Sequence, residues 1–380
     1  MSDANRESTG YIAEVTYGVN PGGTKQLVNF TNNSLGATNE TKNSAFVRSD
    51  TNVAGNVRTS TASGGSIGIE LQYGGYDSFL EAAMRGTFSA GLNVTATTIS
   101  AASADNSFND SGSGLAAAVV GQWFKSSGFA TAANNGYFYV VSKTAAKIVA
   151  LGGTLVNEAA TPTVTLKGSV LSNSTTKKSF TIERNFQDIT RFLLFTGQRV
   201  GDFNLSFATS DIANGSVSFI GQDGASSGTS GFSGSTAAAT TASMNTINDI
   251  KSILINKVAS TLDFTSIDFS INTNSEALKA IANLNATDVR QGSIGVSGNL
   301  GVYFEDATFI DKVLAFTALD LAFVTEDAAG NGYIWHFPTT HINGNVENSG
   351  IDTTLEEKYS FETTLDSTLG YTMSVSRFAA

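Results

Sequence analysis

Residues Gly65 to Leu71 read GSIGIEL, and Gly298 to Phe304 read GNLGVYF. Both stretches run glycine, polar, aliphatic, glycine, aliphatic. Each is followed by a short amphipathic helix pattern. The first sets Phe79, Leu80, Ala83 and Met84 on one face; the second sets Phe309, Ile310, Val313 and Leu314 there, all four at a constant shift of 230. Further on, FNLSFATSDIANG (Phe203 to Gly215) matches YIWHFPTTHING (Tyr333 to Gly344). Phe207 aligns with Phe337, Thr209 with Thr339 and Ile212 with Ile342, and each copy ends in an Asn-Gly that predicts a turn. Upstream, Phe30-Thr31 has a counterpart in Phe264-Thr265. Single blocks match by chance in a Gly/Ser-rich chain, but collinear blocks with a helix in the same slot predict a duplicated β-rich unit. Two similar units give two similar interfaces, which suits rings and arrays more than pockets.

Working outward, period-two alternation dominates. Phe203, Leu205 and Phe207 alternate with polar neighbours, and Val217 and Phe219 continue after Asn214-Gly215 as in a hairpin. Leu262 and Phe264, then Ile267, Phe269 and Ile271, repeat the pattern, as do Tyr359, Phe361, Tyr371, Met373 and Val375 near the end. These read as half-buried antiparallel strands. Helices are few. One is predicted from about Asp77 to Arg85, with Asp77 as N-cap and Gly86 as the C′ residue. The other is predicted from about Thr308 to Phe316, with Thr308 and Asp311 spaced as a capping box. Both are too short to stand without a sheet beneath them. Ile247 to Val258 is a third helix candidate, and Asn274 to Leu284 is helix-permissive.

Spacing predicts an insertion. Met84 to Phe207 spans 123 residues, Leu314 to Phe337 only 23. The surplus falls between about 101 and 173, where AAAVVGQWFKSSGF (Ala116 to Phe129) and NNGYFYVVSK (Asn134 to Lys143) predict a small immunoglobulin-like or SH3-like β module, its core anchored by Trp123. Gly221 to Ser243 reads as a Gly/Ser/Ala/Thr linker, and Asn32 to Ser63 as a long polar segment suited to binding.

Composition bounds the function. The 380 residues include 41% hydrophobic ones but only 14% charged, with 38 Gly, 25 Phe and 3 Pro, so a core is affordable and the surfaces are small and polar. A net charge of −11 with no basic run opposes phosphate binding and favours sliding past nucleic acid. Absence of cysteine excludes disulfides, thiolate metal sites and cysteine nucleophiles. The start, MSDANRESTG, is hydrophilic and no apolar run reaches membrane-span length, so a chain made in the cytoplasm without membrane insertion is expected.

Chemistry is sparse. His336 and His341 lie five apart without a third ligand, and read as a strand residue and a turn residue. Glu356-Glu357 reads as a solvated charge pair, and Glu305-Asp306 as carboxylates at a helix start. DNSFNDSGSG (Asp105 to Gly114) lacks the alternating ligands and terminal Glu of a calcium loop. No phosphate loop, dinucleotide fingerprint, nucleophile elbow or zincin motif occurs. No catalytic residue, cofactor or metal is expected.

The chain resembles the major tail tube proteins of long-tailed, siphovirus-like bacteriophages in their duplicated form. The resemblance rests on ESTGYIAEVTYGVNP (Glu7 to Pro21), SLGATNETKNSAFVRSD (Ser34 to Asp50), YDSFLEAAMRG (Tyr76 to Gly86), NNGYFYVVS (Asn134 to Ser142) and YSFETTLDSTLGYTMSVSRF (Tyr359 to Phe378). It implies a mainly β fold: two tandem sandwich or barrel units, each with a flanking helix, plus an inserted β module. The expected division is residues 1–100 with 174–222, an insert at 101–173, a linker at 223–244 and a second unit at 245–380. It implies a structural virion protein whose sheets join those of neighbours into trimeric, pseudo-hexameric rings, stacked into a sheathless tube with other tail proteins at its ends and DNA passing through unbound. The N-terminal arm and Asn32 to Ser63 are expected to reach the adjacent ring, with a shorter counterpart near Asn272 to Arg290; deleting Asn39 to Gly55 should then stop polymerisation. A β-rich adhesin or receptor-binding protein, with Trp123 or Tyr137 exposed for glycans, is the alternative; a polysaccharide enzyme would need a carboxylate pair that is not evident.

Overall fold

Both glycine-led stretches close long strands, and the glycines have one physical reason in common. In a computed structural model describing residues 3–160, 162–347 and 350–380, a Cβ at Gly65 would lie 2.5 Å from the Ser34 carbonyl oxygen, and at Gly298 2.0 Å from that of Asp268. At Gly68 it would meet Thr31 Oγ1 at 2.5 Å, and at Gly301 Thr265 Oγ1 at 2.4 Å. The repeat therefore keeps glycine where a paired strand presses close. Thr31 and Ser34 stand to Thr265 and Asp268 at one constant offset, so Phe30-Thr31 and Phe264-Thr265 are true structural counterparts. On either side of the second glycine, Ile67 and Ile69, like Leu300 and Val302, are buried in the core.

From these strands the whole pairing scheme recurs. In the first series Glu7–Ala13 pairs with Phe180–Phe186, Gly36–Asn43 with Asn56–Glu70, and Asn56–Glu70 with Asn214–Gly221. Arg191–Ala208 pairs with Phe180–Phe186, Asn214–Gly221 and Asp223–Ser227. In the second series Ile250–Ile255 pairs with Leu319–Glu326, Phe264–Asn272 with Gly295–Tyr303, and Gly295–Tyr303 with Glu356–Thr363. Gly332–Glu347 pairs with Leu319–Glu326, Glu356–Thr363 and Ser374–Phe378. Every pairing is antiparallel, and the chain order is the same in both series. A helix fills the same slot each time: Asp77–Met84 and Thr308–Leu314.

One sequence match is out of register. Phe203 to Ala208 is the far half of Arg191–Ala208, whereas Tyr333 to Phe337 is the near half of its counterpart Gly332–Glu347. Asn343-Gly344 is not a turn; it lies inside the strand opposite Ser360 and Tyr359. By pairing, Phe203, opposite Val217, corresponds to Gly344, opposite Tyr359. The match and the pairing differ by eleven residues, an odd slide that stays in phase because the register shifts between Phe337 and Thr340, so the alternation aligns with either half.

Two helix candidates are strands. Ile250–Ile255 joins Leu319–Glu326, and the segment around Asn274 forms the hairpin Ser275–Leu278 with Asp288–Gln291, because long-range pairing overrides weak local propensity. The caps also differ. Asp77 is the first residue of its helix and receives Tyr333 Oη–H at 2.6 Å and the Arg377 guanidinium instead of capping. The left-handed residue at its end is Arg85 (φ 52°), ahead of Gly86. At the second helix Asp306 Oδ1 accepts from the Thr308 N–H at 2.8 Å, and no capping box forms.

The largest core runs through both series, with Phe79, Phe180, Phe219, Phe269 and Trp335 among its aromatics. A separate core lies within Leu92 to Leu166, with Phe108 in contact with Phe124, Phe129 and Phe138. Trp123 is not part of it. Its neighbour Phe124 points inward, and Trp123, fully buried, points the other way into a cluster with Tyr139, Val324, Ile334 and Phe378. The Gly221 to Ser243 stretch is not a free tether: Asp223–Ser227 pairs with Arg191–Ala208, and Gly234–Thr236 runs parallel to Thr24–Val28. The N-terminal segment is likewise held, since Glu7–Ala13 pairs on both sides.

Candidate functional site

One sheet crosses the boundary between the two series without a break. Its order is Gly36–Asn43, Asn56–Glu70, Asn214–Gly221, the far half of Arg191–Ala208, Phe264–Asn272, Gly295–Tyr303, Glu356–Thr363 and the far half of Gly332–Glu347. At the boundary Asp202 to Ala208 lies opposite Asn272 to Ser266.

Alternation gives this sheet two different faces. Ile67, Val217, Leu205, Phe269, Leu300 and Tyr359 point into the core. The opposite face is small and polar, with Ser66, Ser218, Asn204, Asp268, Asn299 and Ser360 in corresponding rows. Cross-strand hydrogen bonds tie it together. Ser218 Oγ donates to Asp202 Oδ2 at 2.9 Å, Asn299 Nδ2 to Asp268 Oδ1 at 2.9 Å, and Asn204 Nδ2 to Ser216 Oγ at 3.3 Å. Its carboxylates include Glu70, Asp202, Asp268 and Glu362, so the face is acidic.

The ends of the sheet are open. Among the described residues, Gly36–Asn43 has Asn56–Glu70 on one side and no strand on the other. The stretch His341 to Glu347 pairs, among the described residues, only with Glu356–Thr363. Each exposes a row of backbone donors and acceptors that natural proteins seldom leave unpaired.

The residues singled out for chemistry are absorbed structurally. His336 is buried; its ring nitrogens lie 3.0 Å from Asp320 Oδ2 and 3.3 Å from Ser374 Oγ. Burial opposes charge on Asp320, but His336 and the Lys257 ammonium, 2.7 Å away, outweigh it and hold the carboxyl below its usual range. His341 is a strand residue, not a turn residue, and stacks on Phe316 at 4.7 Å. Glu357 is not solvated. It is 2% exposed, and burial raises its carboxyl above the ordinary range; Glu356 accepts from Thr265 Oγ1 at 2.5 Å. Asp110 is occupied by Thr98 Oγ1 and the N–H groups of Gly112 and Gly114. Among the described residues no group of three or more His, Asp or Glu is placed to hold a metal ion. Trp123 is buried, and Tyr137 is half-buried and donates to Glu326 at 2.7 Å, so neither offers an open ring to a glycan. Two arginines escaped the sequence reading: Arg85 and Arg199, both buried and both bound to the 273–294 segment. Their only signal is a cation beside apolar strand and helix residues.

Among the described residues no helix is long and apolar enough to cross a membrane. No curated protein sequence matches the chain. The family described as phage tail tube protein matches residues 4–364. That match, the mainly β fold and the polar sheet with unpaired ends agree with a structural, non-enzymatic component of the virion tail that assembles with itself, and the chain belongs to the phage tail tube protein family.

Proposed function

We propose that the two strand series are two copies of one tail tube unit, and that chains join edge to edge into a closed ring of three, pseudo-sixfold in its units, which stacks into the conduit for DNA. One observation carries this reading. The far half of Arg191–Ala208 and the strand Phe264–Asn272 meet inside the chain, and their counterparts, Asn343 to Glu347 and Phe30 to Thr38, lie along the two open edges. Each edge is therefore the complement of the other. Carrying the internal register across puts Gly344 opposite Ala37, Ile342 opposite Asn39 and Val346 opposite Leu35 of the next chain. Closure removes both free edges at once.

Four strands per unit give three chains about 24 strands. At ~4.8 Å spacing and ~40° tilt these close a barrel of roughly 48 Å diameter, which leaves room for a double helix. The small, acidic face lines the inside, where repulsion keeps DNA sliding. The first unit comprises residues 1–100 with 174–222 less the insert, whose own core begins at Leu92 and ends at Leu166. The second comprises 245–380. The insert projects outward.

Negative-stain images of the purified chain, rotationally averaged, test this. Annuli with a central hole and a mass of three chains are expected. A monomer at every concentration, or a particle without a hole, overturns the reading.

A further inference from the structure

Residues 273–294 leave the sheet between Phe264–Asn272 and Gly295–Tyr303 and fold back onto the first series. Arg199 grips them, donating to the Val289 carbonyl and pairing with Asp288 at 2.8 Å. Gln291 Nε2 donates to the Val200 carbonyl at 3.1 Å, and Arg85, the left-handed residue ending the first helix, donates to the carbonyls of Thr273 and Gly292. Ala286 and Val289 are buried there.

The first series has the same excursion in a different state. Pairing makes Thr38 and Ala62 the counterparts of Asn272 and Gly295, so 39–61 corresponds to 273–294 and is not longer by more than a residue. It stands out as a hairpin whose apolar residues face solvent: Phe46 and Val47 are 81% and 100% exposed, and Val53 and Val57 are exposed on its returning limb. The receiving surface also has a counterpart. Phe316 (φ 48°), one residue beyond the C-cap Ala315, is the left-handed residue that follows the second helix, as Arg85 is for the first. It lies 77% exposed beside His341 at the end of a cleft of about 620 Å³ that includes Asp268, Ser360 and Glu362. The seat carries carboxylates; in the excursion Arg48 pairs with Asp50 and Glu40 with Lys279, which leaves Lys42 and Arg58 as its cations outside those pairs.

We infer that this cleft is the seat of residues 39–61 of a second copy of the chain, docked within the ring as 273–294 docks within the chain. The inference rests on the ring reading above. It places the excursion against the neighbouring subunit, where the sequence alone pointed to the adjacent ring, and it covers Asp268, Ser360 and Glu362, so that Glu70 and Asp202 remain as the acidic face open to the lumen.

The chain has no cysteine, so engineered pairs report cleanly. Thr59 is the counterpart of Gly292, so T59C with F316C reads the seat; T38C with N343C reads the strand junction. Both pairs sit at the surface. Oxidised single rings should show a covalent ladder for both pairs on non-reducing gels, at least tenfold stronger than in the monomer fraction. A ladder for the junction pair alone overturns the seat and leaves the ring standing. No ladder for either pair overturns both. A seat ladder confined to stacked tubes assigns the occupant to the next ring and overturns docking within a ring. Should F316C alone prevent ring formation at unchanged melting temperature, the seat is supported, because a stacking contact would still leave single rings.

Discussion

At the residue scale, glycine and a buried carboxyl make opposite predictions. A methyl at Gly298 has a backbone carbonyl in its way, and a carbonyl cannot rotate aside. Gly298→Ala should lower stability by about 2 kcal/mol, while Gly295→Ala, with nothing within 4 Å, should be near neutral in urea unfolding. Equal stability of the two variants would show that the strands do not press together there. Glu357 is buried with its carboxyl raised, and its Oε1 lacks a hydrogen-bond partner. A carboxyl whose folded value is raised binds its proton more tightly in the folded state. Its full stability is present below the unfolded value of about 4.3 and declines as pH rises through the folded one. Glu357→Gln should therefore raise the melting temperature at pH 7 and lose that advantage by pH 4. A variant less stable at pH 7 would refute the account.

At the element scale, Trp123 decides how the insert is held. It sits in the strand Trp123–Ser127, and its ring packs on second-series residues, while Phe124 serves the insert's own core. Trp123→Ala should cost about 3–5 kcal/mol of docking and leave the Phe108 cluster folded. Denaturation monitored by two probes should then separate into two transitions where the parent shows one. A single cooperative transition at lower stability would mean the insert has no independent core. The elements were unequally legible. Strands with clean alternation, such as Phe264–Asn272, were readable because one face is core and the other polar. Ile250–Ile255 was not, since its burial pattern is irregular and its strand character comes from Leu319–Glu326.

At the scale of the whole molecule, the proposed acidic lumen makes a prediction about DNA. Replacing Glu70 and Asp202 by Lys should turn an inert lumen into an adhesive one. Tubes of this variant should retain duplex DNA at low salt and release it steeply as salt rises, whereas parent tubes retain none. Unchanged DNA retention in well-formed variant tubes would place these residues away from the lumen. The sheet continuous across both series gives this face its extent, and no single segment of sequence displays it.

The sequence by itself determined that a β unit recurs, because close strand approach demands glycine and core burial demands alternation at the same places in both copies. It also set a net charge of −11, which opposes phosphate contacts in any fold, since that repulsion depends on summed charge. Only the tertiary structure decided which halves of the long strands correspond, which way Trp123 faces, and where the sheet ends. Those are matters of register and of partners distant in the chain, and a period-two pattern is unchanged when it slides by two residues.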